Sequence, residues 1–301
     1  MRAQPALILT DLAEQASRAL PPLLIEAQRI AATVILGVHG RKRSGPGENF
    51  WQYRPYSFGD ATQRIDWHKS ARSERVYIRE TEWEAANTLW LWSSSSPSMN
   101  FKSHLAGTTK RHRAELIALA LACLAIRAHE RVAALDGPFS PGHAKPAVLR
   151  IAQWLLDRPL SANLPGPARL KRFSTVALLS DFYDPPGEIA TAVSALAANG
   201  VNGHLIQIVD PAEEALPYTG RVEFRDIAGG PQHFIAGKTE NLRQAYSEKF
   251  HAQRDAVRAL ARRIGWSFAI HRTDQPPVSL LLALHGLIGG EKSRVAAQGS
   301  R

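Results

Sequence analysis

The sequence predicts an α/β fold, in which a mostly parallel sheet carries helices on both faces. Short, continuously apolar runs at residues 88–92 and 175–179 are typical of strands that are covered on both sides. Helical segments alternate with such runs along the chain, and this alternation predicts parallel strands joined by helices. We assign residues 84–290 to this domain, residues 1–83 to an N-terminal extension of helices and short strands, and residues 291–301 to a disordered tail.

The N-terminal extension begins with a helical pattern. Apolar residues at helical spacing over residues 6–36 predict two helices, and the Pro21-Pro22 pair separates them. Three glycines and a proline within residues 39–49 indicate an exposed loop. Short β-like stretches at residues 50–56 and 76–82 complete the extension.

The main domain alternates between strands and helices. Residues 114–128 form a helix that is apolar nearly all round, so we expect it to be buried. Residues 221–227 alternate like one strand of a hairpin. The other predicted elements are strands at residues 132–135, 204–209 and 266–270, and helices that begin near Pro146, at Asp184-Pro185-Pro186, near Leu242 and after Pro276-Pro277.

Polar residues that follow the predicted strands are the candidates for a binding site. Parallel strands present their carboxyl ends at one edge of a sheet, and ligands bind in the crevice beyond that edge. The serine-rich loop at residues 93–98 follows one strand, and Asp181 follows another. If these strands are neighbours, hydroxyls and a carboxylate converge into the kind of oxygen ligand set that Mg²⁺ prefers. Asp136, Asp210 and Arg272 follow the remaining strands.

The serine loop and Asp181 resemble the site of the von Willebrand factor A domain, which has a Rossmann-type fold. That family carries Asp-x-Ser-x-Ser after its first strand, a threonine in a later loop and an aspartate after a later strand. The resemblance implies a metal-ion-dependent adhesion site, in which the carboxylate of a partner completes the coordination of the metal. In this sequence Ser96 and Ser98 match the pattern, but Ser94 stands where the family has its first aspartate. No threonine lies between residues 136 and 161, where the third hydroxyl is expected.

Loss of the first aspartate predicts a degenerate site. At a few ångströms and an effective dielectric constant of about 20, one unit charge contributes on the order of 4 kcal/mol to cation binding, before desolvation is counted. Asp181 and Asp184 together would therefore hold Mg²⁺ only weakly, and we predict no other cofactor. The alternative is that the serines cap the following helix and satisfy backbone donors.

The stretch at residues 54–72 is dense in arginine, aspartate and aromatic residues. Its composition predicts a loop held in one shape by arginine–carboxylate pairs, with Trp67 packed beneath it. The stretch also resembles the signature of the domain-of-unknown-function 58 family. Later landmarks at residues 180–182 and 210–213 extend the likeness over about residues 35–290. The matching signature positions are Arg54, Tyr56, Gly59, Asp60, Arg64, Ile65, Asp66, Trp67, Ser70, Ala71 and Arg72.

This resemblance implies a von Willebrand A-like fold of bacterial type and a link to AAA+ ATPases of the MoxR class. Such systems resemble chaperones for metal insertion or complex assembly, and no catalytic activity is established for the family. We therefore predict a non-enzymatic protein-interaction module whose partners are a MoxR-like ATPase and other protein clients. The signature residues and Asp210 are predicted to bind the partner.

Two alternative functions stay open. The first is a Mg²⁺-dependent binder or enzyme that uses Asp181 and Ser96. The second is a nucleic-acid-binding protein, because the chain has a formal net charge of +10 and a sequence pI of about 10.0. The densest positive clusters, at residues 41–43 and 110–113, lack the interleaved aromatic residues of a single-strand-binding surface. We therefore rank nucleic-acid binding last.

Composition and motif content exclude several other classes. Hydrophobic residues make up 45% and charged residues 21% of the 301 residues, which allows a core of normal size. The single cysteine, Cys123, excludes an intramolecular disulfide and a cysteine-cluster metal site, and its apolar helix predicts an inert core residue. No apolar run reaches the roughly 18 residues of a membrane span, so we expect a cytoplasmic protein without a signal peptide. The chain also lacks a nucleophile elbow and a Walker loop.

Overall fold

The computed structural model of the chain describes residues 22–39, 52–57, 65–73, 75–80, 87–158, 163–168, 170–198, 200–225 and 233–298. These residues fall into two compact units, a smaller one within residues 41–86 and a larger one made from the rest. The helix predicted before Pro21, most of the loop at residues 39–49, and the signature positions Gly59, Asp60 and Arg64 lie outside the described residues.

The described elements are numbered in chain order. The helices are α1 (Pro22–His39), α2 (Trp67–Ser70), α3 (Lys110–Arg127), α4 (Lys145–Asp157), α5 (Pro186–Ala197), α6 (Pro211–Ala215), α7 (Glu240–Arg263) and α8 (Val278–Gln298). The strands are β1 (Gln52–Pro55), β2 (Tyr77–Glu80), β3 (Thr88–Ser93), β4 (Arg131–Ala134), β5 (Thr175–Ser180), β6 (Asn202–Val209), β7 (Val222–Arg225), β8 (His233–Ala236) and β9 (Ser267–Arg272).

Five parallel strands form the sheet of the larger unit, in the order β4-β3-β5-β6-β9. Side chains alternate between the two faces of a sheet along each strand. In β5, Ala177 and Leu179 pack into a core with α1, α3, α4 and α8, whereas Val176 and Leu178 pack into a second core with α5 and α7. Both faces of the sheet are therefore covered by helices, and the predicted α/β fold is confirmed.

The chain changes direction across the sheet at β3. The next strand along the chain, β4, lies on one side of β3, and β5 lies on the other. Helix α3, which comes after β3, packs on one face of the sheet, and α5, which comes after β5, packs on the other. The loops after β3 and β5 therefore diverge and leave a crevice at the carboxyl edge of the sheet, where open α/β folds bind ligands.

Helix α1, which comes from the predicted N-terminal extension, belongs to the core of the larger unit. Leu24, Ala27, Ala31 and Val34 form one buried stripe at helical spacing, and they share a core cluster with residues of α3 and α8. A helix with such a stripe is stabilised by the apolar surface that it covers. Its packing therefore joins α1 to the sheet-bearing unit.

Two helix ends differ from the prediction. Helix α3 begins at Lys110, well before residue 114, because the Thr109 hydroxyl accepts the His112 N–H at 3.1 Å and caps the first turn. Helix α8 continues to Gln298, through positions for which a disordered tail is predicted, since the stretch contains the good helix formers alanine and arginine.

Among the described helices, none is long and apolar enough to cross a membrane.

The smaller unit contains an antiparallel pair, β1 and β2, and the short helix α2. Asp66 caps α2, since its Oδ1 accepts the Lys69 N–H at 2.9 Å. The Ser70 hydroxyl donates to the Asp66 carbonyl at 2.7 Å and accepts the Tyr77 N–H at 2.9 Å, which ties α2 to β2. The prediction that Trp67 packs beneath this loop is wrong, because as the first residue of α2 it is 66% exposed.

Candidate functional site

The serine loop and Asp181 meet at the carboxyl edge of the sheet. Strands β3 and β5 are parallel neighbours, with Ser93 opposite Leu179, and the Ser94 N–H donates to the Leu179 carbonyl at 2.8 Å. Residues 93–96 and Asp181 are all buried. The adjacency of the two strand ends, on which the predicted site depends, is therefore confirmed.

Hydrogen bonds connect the serine loop to Asp181. The Ser96 and Ser98 hydroxyls are 2.9 Å apart, and the Ser98 hydroxyl donates to Asp181 Oδ2 at 2.6 Å. The Ser94 hydroxyl accepts the Ser96 N–H at 3.2 Å and donates to the Asn163 carbonyl at 3.4 Å. The structure thus brings Ser96, Ser98 and Asp181 together, while Ser94 shapes the loop that carries the two serines.

A buried lysine completes this cluster. Lys110, at the start of α3, is fully buried, and its ammonium donates to Asp181 Oδ2 at 2.9 Å and to Glu213 Oε1 at 2.5 Å. The ammonium nitrogen also lies 4.6 Å from the centre of the Tyr183 ring and 5.9 Å from that of Phe101, within the range of cation–π contacts. The sequence groups Lys110 with a positive cluster that lacks interleaved aromatic residues, but the fold encloses its ammonium between two carboxylates and two rings.

Glu213 and Asp210 belong to the turn that follows β6. Asp210 Oδ1 accepts the Ala212 N–H at 2.9 Å and Glu213 Oε2 accepts the Asp210 N–H at 2.9 Å, so the two acids form a capping box at the start of α6. Asp210 Oδ2 also accepts the Ser103 N–H at 2.9 Å, and Asp210 is fully buried. Asp210 therefore connects two loops from inside, whereas Glu213 provides the carboxylate that reaches Lys110.

The cluster does not fit a divalent cation. Asp181 Oδ2 already accepts hydrogen bonds from Ser98 and from the Lys110 ammonium. An ion of charge two about 4 Å from the ammonium would be repelled by on the order of 8 kcal/mol at an effective dielectric constant of about 20. Within the part of the chain that the structure describes, no group of three or more His, Cys, Asp or Glu side chains could hold a metal ion. The residues present favour the internal ammonium over a metal.

The backbone that carries Asp181 has an unusual conformation. Phe182 has a φ of 54°, a left-handed value that costs a residue other than glycine about 1–2 kcal/mol. Gln253 of α7 donates to the Phe182 carbonyl at 2.8 Å, and Gln207 of β6 donates to the Asp181 carbonyl at 3.1 Å. These two side-chain amides hold the turn after β5 and thereby fix the position of the Asp181 carboxylate.

An open cleft of about 640 Å³ lies over the cluster. This volume is within the range of small-ligand sites in proteins. Ser96, Ser98 and Glu213 reach the cleft from the cluster, and β7 contributes one wall. The cleft is rich in aromatic residues, namely Phe101, Tyr183, Tyr218, Phe224 and Tyr246.

Acidic groups of the cluster act on the tyrosines of the cleft. Burial raises the pKa of Tyr183 well above its usual value, and the nearby carboxylates of Glu213 and Asp181 raise it further. Burial, followed by the charges of Asp210 and Glu213, also raises the pKa of Tyr218. Burial raises the pKa of Glu213 itself, while the adjacent ammonium opposes this shift. In each case burial is the main cause, and nearby carboxylates of the cluster add to the shift.

The model of a protein family described as "Protein of unknown function DUF58" matches residues 52–256, which is more than half of the chain. The chain belongs to the DUF58 family. The matched span includes the signature in the smaller unit and all members of the cluster in the larger unit. Because the family description states no activity, the function of this DUF58 protein has to be inferred from its site.

Mycobacterial proteins are similar to this DUF58 protein over most of its length. The uncharacterised proteins Rv1480 of Mycobacterium tuberculosis and Mb1516 of Mycobacterium bovis are each 25% identical to it over 243 residues. The similar region covers 75% of this chain and 75% of each relative. The names of these relatives state no activity either.

The signature residues of the DUF58 protein lie in its smaller unit. Arg54 is in β1, where it pairs with Ile78 of β2, and the Tyr56 N–H donates to the Val76 carbonyl at 2.8 Å. Arg72 follows α2 and is exposed, like Trp67. The described part of the signature thus combines residues that shape the unit with side chains that face solvent.

Asp136 and Arg272, which also lie at strand ends, contact residues outside the cluster. Asp136 accepts hydrogen bonds from the Trp154 indole at 3.2 Å and from the Arg158 guanidinium at 3.4 Å. Arg272 pairs with Asp274 at 2.8 Å. We therefore assign Asp136 and Arg272 to the packing of helices and loops around the sheet.

Lys110 and Glu213 are the members of the cluster that the sequence patterns did not single out. A weak signal for Lys110 exists, because the positive run at residues 110–113 opposes the dipole of the helix that it begins and so requires acidic partners. The signal for Glu213 is its spacing from Asp210, which is typical of a capping box. Neither signal indicates that the two residues meet, since they are 103 positions apart.

Proposed function

We propose that this DUF58 protein is a non-enzymatic interaction module whose partner is a MoxR-type AAA+ ATPase. The two proteins act in the assembly or maturation of a protein complex, and their contact needs no bound metal ion. In this proposal the Lys110 ammonium takes the place of the divalent cation of an adhesion-type site. The observation that carries the proposal is the buried contact of Lys110 with Asp181 and Glu213, at 2.9 and 2.5 Å.

An internal ammonium makes the site independent of metal concentration. A metal-bridged site is lost when the metal is removed, and it depends on an acidic partner residue to complete the coordination. Lys110 is instead a permanent part of the chain, and its removal would leave the buried charge of Asp181 and the partly buried charge of Glu213 without compensation. The floor of the cleft therefore stays assembled whether or not a divalent cation is available.

The hydrogen bonds of the serine loop support binding rather than catalysis. A serine nucleophile needs a neighbouring base that can take its proton. Ser98 donates to Asp181 Oδ2, but the same oxygen also accepts a hydrogen bond from the Lys110 ammonium, so Asp181 pairs with a cation of the chain and is not reserved for a serine nucleophile. We therefore assign these hydrogen bonds the role of holding the serine loop in one shape at the floor of the cleft.

Two surfaces are available to a partner. One is the cleft over the cluster, and the other is the family signature, where Trp67 is 66% exposed. An accessible tryptophan is a frequent anchor of protein interfaces. The MoxR-type ATPase is proposed on the resemblance of the signature to that of ATPase-associated proteins, and because such ATPases use cytoplasmic ATP we place the encounter in the cytoplasm.

Metal titration tests the role of Lys110. Calorimetric titration of the wild-type protein with Mg²⁺ and with Mn²⁺ is expected to show no binding in the micromolar range. Micromolar binding that disappears in Asp181→Ala would contradict the proposal, and it would favour a Mg²⁺-dependent binder or enzyme.

Co-purification with the MoxR-type ATPase encoded in the same genome tests the partner. The wild-type protein is expected to retain the ATPase, and Trp67→Ala is expected to lose most of it. Leu156→Ala is a matched control, because it removes another exposed apolar side chain, on α4, and is expected to retain the ATPase. Equal recovery with Trp67→Ala and wild type would remove the signature from the interface, and no recovery with wild type would reject the partner.

A further inference from the structure

We propose that the cleft over the Lys110 cluster binds an arginine side chain presented by a protein partner. This inference rests on the proposed interaction function and specifies the chemistry of its ligand. Two properties of the cleft favour this ligand, namely the net charge of its floor and the aromatic rings of its walls. A metal-bridged adhesion site selects an acidic partner, whereas this cleft would select a basic one.

The floor of the cleft has a net negative charge even when the positive charge of the Lys110 ammonium is included. Asp181, Asp210 and Glu213 bring three carboxylates together, and Lys110 neutralises one of these charges. The Glu213 side chain is 13% exposed, whereas that of Asp181 is 3% exposed, so Glu213 is the carboxylate that an incoming ligand can reach. A cation in the cleft would therefore be attracted to the floor and would donate its N–H groups to the Glu213 carboxylate.

The arginines close to the cleft are engaged in other contacts. Arg225, on the rim, donates to both carboxylate oxygens of Glu223 at 3.0 and 3.1 Å. Arg243 donates to the Leu216 and Tyr218 carbonyls at 3.3 and 3.2 Å. Arg243 keeps its positive charge, because carbonyls are neutral acceptors, and together with Lys110 it sets two cations against the three carboxylates of the floor. An acidic ligand would therefore meet a net like charge at the floor, whereas a basic ligand would find opposite charge there. Charge complementarity of this kind selects between partners.

The aromatic residues favour a planar cation. A guanidinium stacks on aromatic rings and binds a carboxylate through two parallel N–H donors, and it is more weakly hydrated than an ammonium. Tyr218 and Phe224, both in the cleft, have ring centres 6.1 Å apart. The chain already uses this type of contact near the cleft, since the Arg254 guanidinium lies 4.7 Å from the centre of the Phe250 ring. Arginine therefore fits the cleft better than lysine.

Titration with short peptides of the form Gly-Gly-Xaa-Gly-Gly, blocked at both ends, tests the proposal. Binding is followed by ¹H–¹⁵N NMR spectra of the full chain. With arginine in the central position, we expect shifts at Glu213, Tyr218 and Phe224 and a Kd on the order of 1 mM. Citrulline has the shape of arginine without its charge, and its peptide is expected to bind at least about tenfold more weakly. The glutamate peptide is expected to leave these three signals unchanged.

Variants of the floor and the wall locate the binding. Glu213→Gln keeps the shape of the side chain and its acceptor for the Asp210 N–H, and it is expected to weaken arginine binding by about tenfold. Tyr218→Ala is expected to weaken it several-fold, and Tyr218→Phe, which keeps the ring, is expected to bind like wild type. Because Tyr218 is partly exposed, this pair provides the test even if Glu213→Gln does not fold. Glu188→Gln, on the exposed surface of α5, is the control and is expected to bind like wild type.

Several results would overturn the proposal. These are equal binding of the arginine and citrulline peptides, tighter binding of the glutamate peptide, shifts confined to residues outside the cleft, or no shifts with any peptide. Failure of this ligand is distinguishable from failure of the proposed function. Retained capture of the ATPase without arginine binding rejects the ligand alone, whereas arginine binding without capture rejects the ATPase as partner.

Discussion

Lys110 Nζ lies 2.9 Å from Asp181 Oδ2, and both side chains are buried. The two residues are 71 positions apart in the chain, one at the start of α3 and the other directly after β5. Their contact, together with that of Lys110 and Glu213, places a fixed positive charge at the carboxyl edge of the sheet. We therefore expect that removal of the ammonium both destabilises the fold and opens a site for a cation.

Replacement of Lys110 by methionine is expected to lower the free energy of unfolding by about 3–5 kcal/mol, because Asp181 would become an uncompensated buried charge and Glu213 an uncompensated, partly buried one. Urea denaturation at neutral pH measures the change. Lys145→Met, at the exposed start of α4, is the control and is expected to stay within about 0.5 kcal/mol of wild type. A loss of less than about 1 kcal/mol for Lys110→Met would show that the ion pairs contribute little to stability.

Replacement of Lys110 by alanine is expected to raise the affinity for Mn²⁺ and Mg²⁺ at least about tenfold. The shorter side chain leaves space beside Asp181 and Glu213, and with the Ser96 and Ser98 hydroxyls these form a set of hard oxygen ligands. Calorimetry, or paramagnetic resonance with Mn²⁺, measures the gain. Lys110→Met, which fills the space, is the control and is expected to gain less. Unchanged affinity in Lys110→Ala would contradict the idea that the ammonium takes the place of a cation.

Gly203, in β6, is expected to tolerate no side chain. A Cβ at this position would lie 2.1 Å from Cδ2 of the Trp266 indole, which is anchored by a hydrogen bond of 3.0 Å to the Val201 carbonyl. Gly203→Ala should therefore lower the free energy of unfolding by about 3 kcal/mol. Gly187→Ala, in α5, meets nothing within 4 Å and is expected to raise it by about 0.5–1 kcal/mol. Changes of the same sign in both variants, measured by urea denaturation, would argue against this packing.

His204 and His271 are expected to make the fold sensitive to acid. Burial lowers the pKa of each imidazole to about 4. The unfolded chain binds protons at these rings below a pH of about 6.5, whereas the folded chain keeps them neutral until about pH 4. The free energy of unfolding should therefore fall as the pH drops from about 6.5 to about 4, by about 3 kcal/mol for each residue.

Urea denaturation across this pH range measures the effect of the two histidines. His271→Gln removes one titrating ring, so its unfolding free energy is expected to depend less steeply on pH than that of wild type. NMR of the ring protons offers a direct check. Titration of His204 and His271 with midpoints near 6.5 would contradict the prediction.

The strands and the first candidates of the site could be recognised from local patterns. Residues 88–92 and 175–179 are continuously apolar because parallel strands are buried on both faces, and this pattern needs no knowledge of the partner strand. Ser96 and Asp181 are candidates because each follows such a strand. The expectation of an aspartate at the position of Ser94 comes from the resemblance to the von Willebrand A pattern and not from the serines themselves.

The positive charge of the cluster could not be recognised in this way. The first turn of α3 reads as a solvated basic run, and the turn after β6 reads as an ordinary helix cap. Lys110 and Glu213 meet only because α3 packs across one face of the sheet, with its N-terminus at the edge where β5 and β6 end. An apolar helix can pack in many orientations, and its own sequence does not specify which end faces which loop.

Local sequence patterns thus specify which helices and strands form and which polar residues follow the strands. Long-range packing specifies that the ammonium of Lys110 lies against Asp181. The physical reason is that a helix or strand depends on neighbours along the chain, whereas an electrostatic site depends on charges within a few ångströms. In this protein those charges come from Lys110, Asp181 and Glu213, which are distant in sequence and meet only in the folded chain.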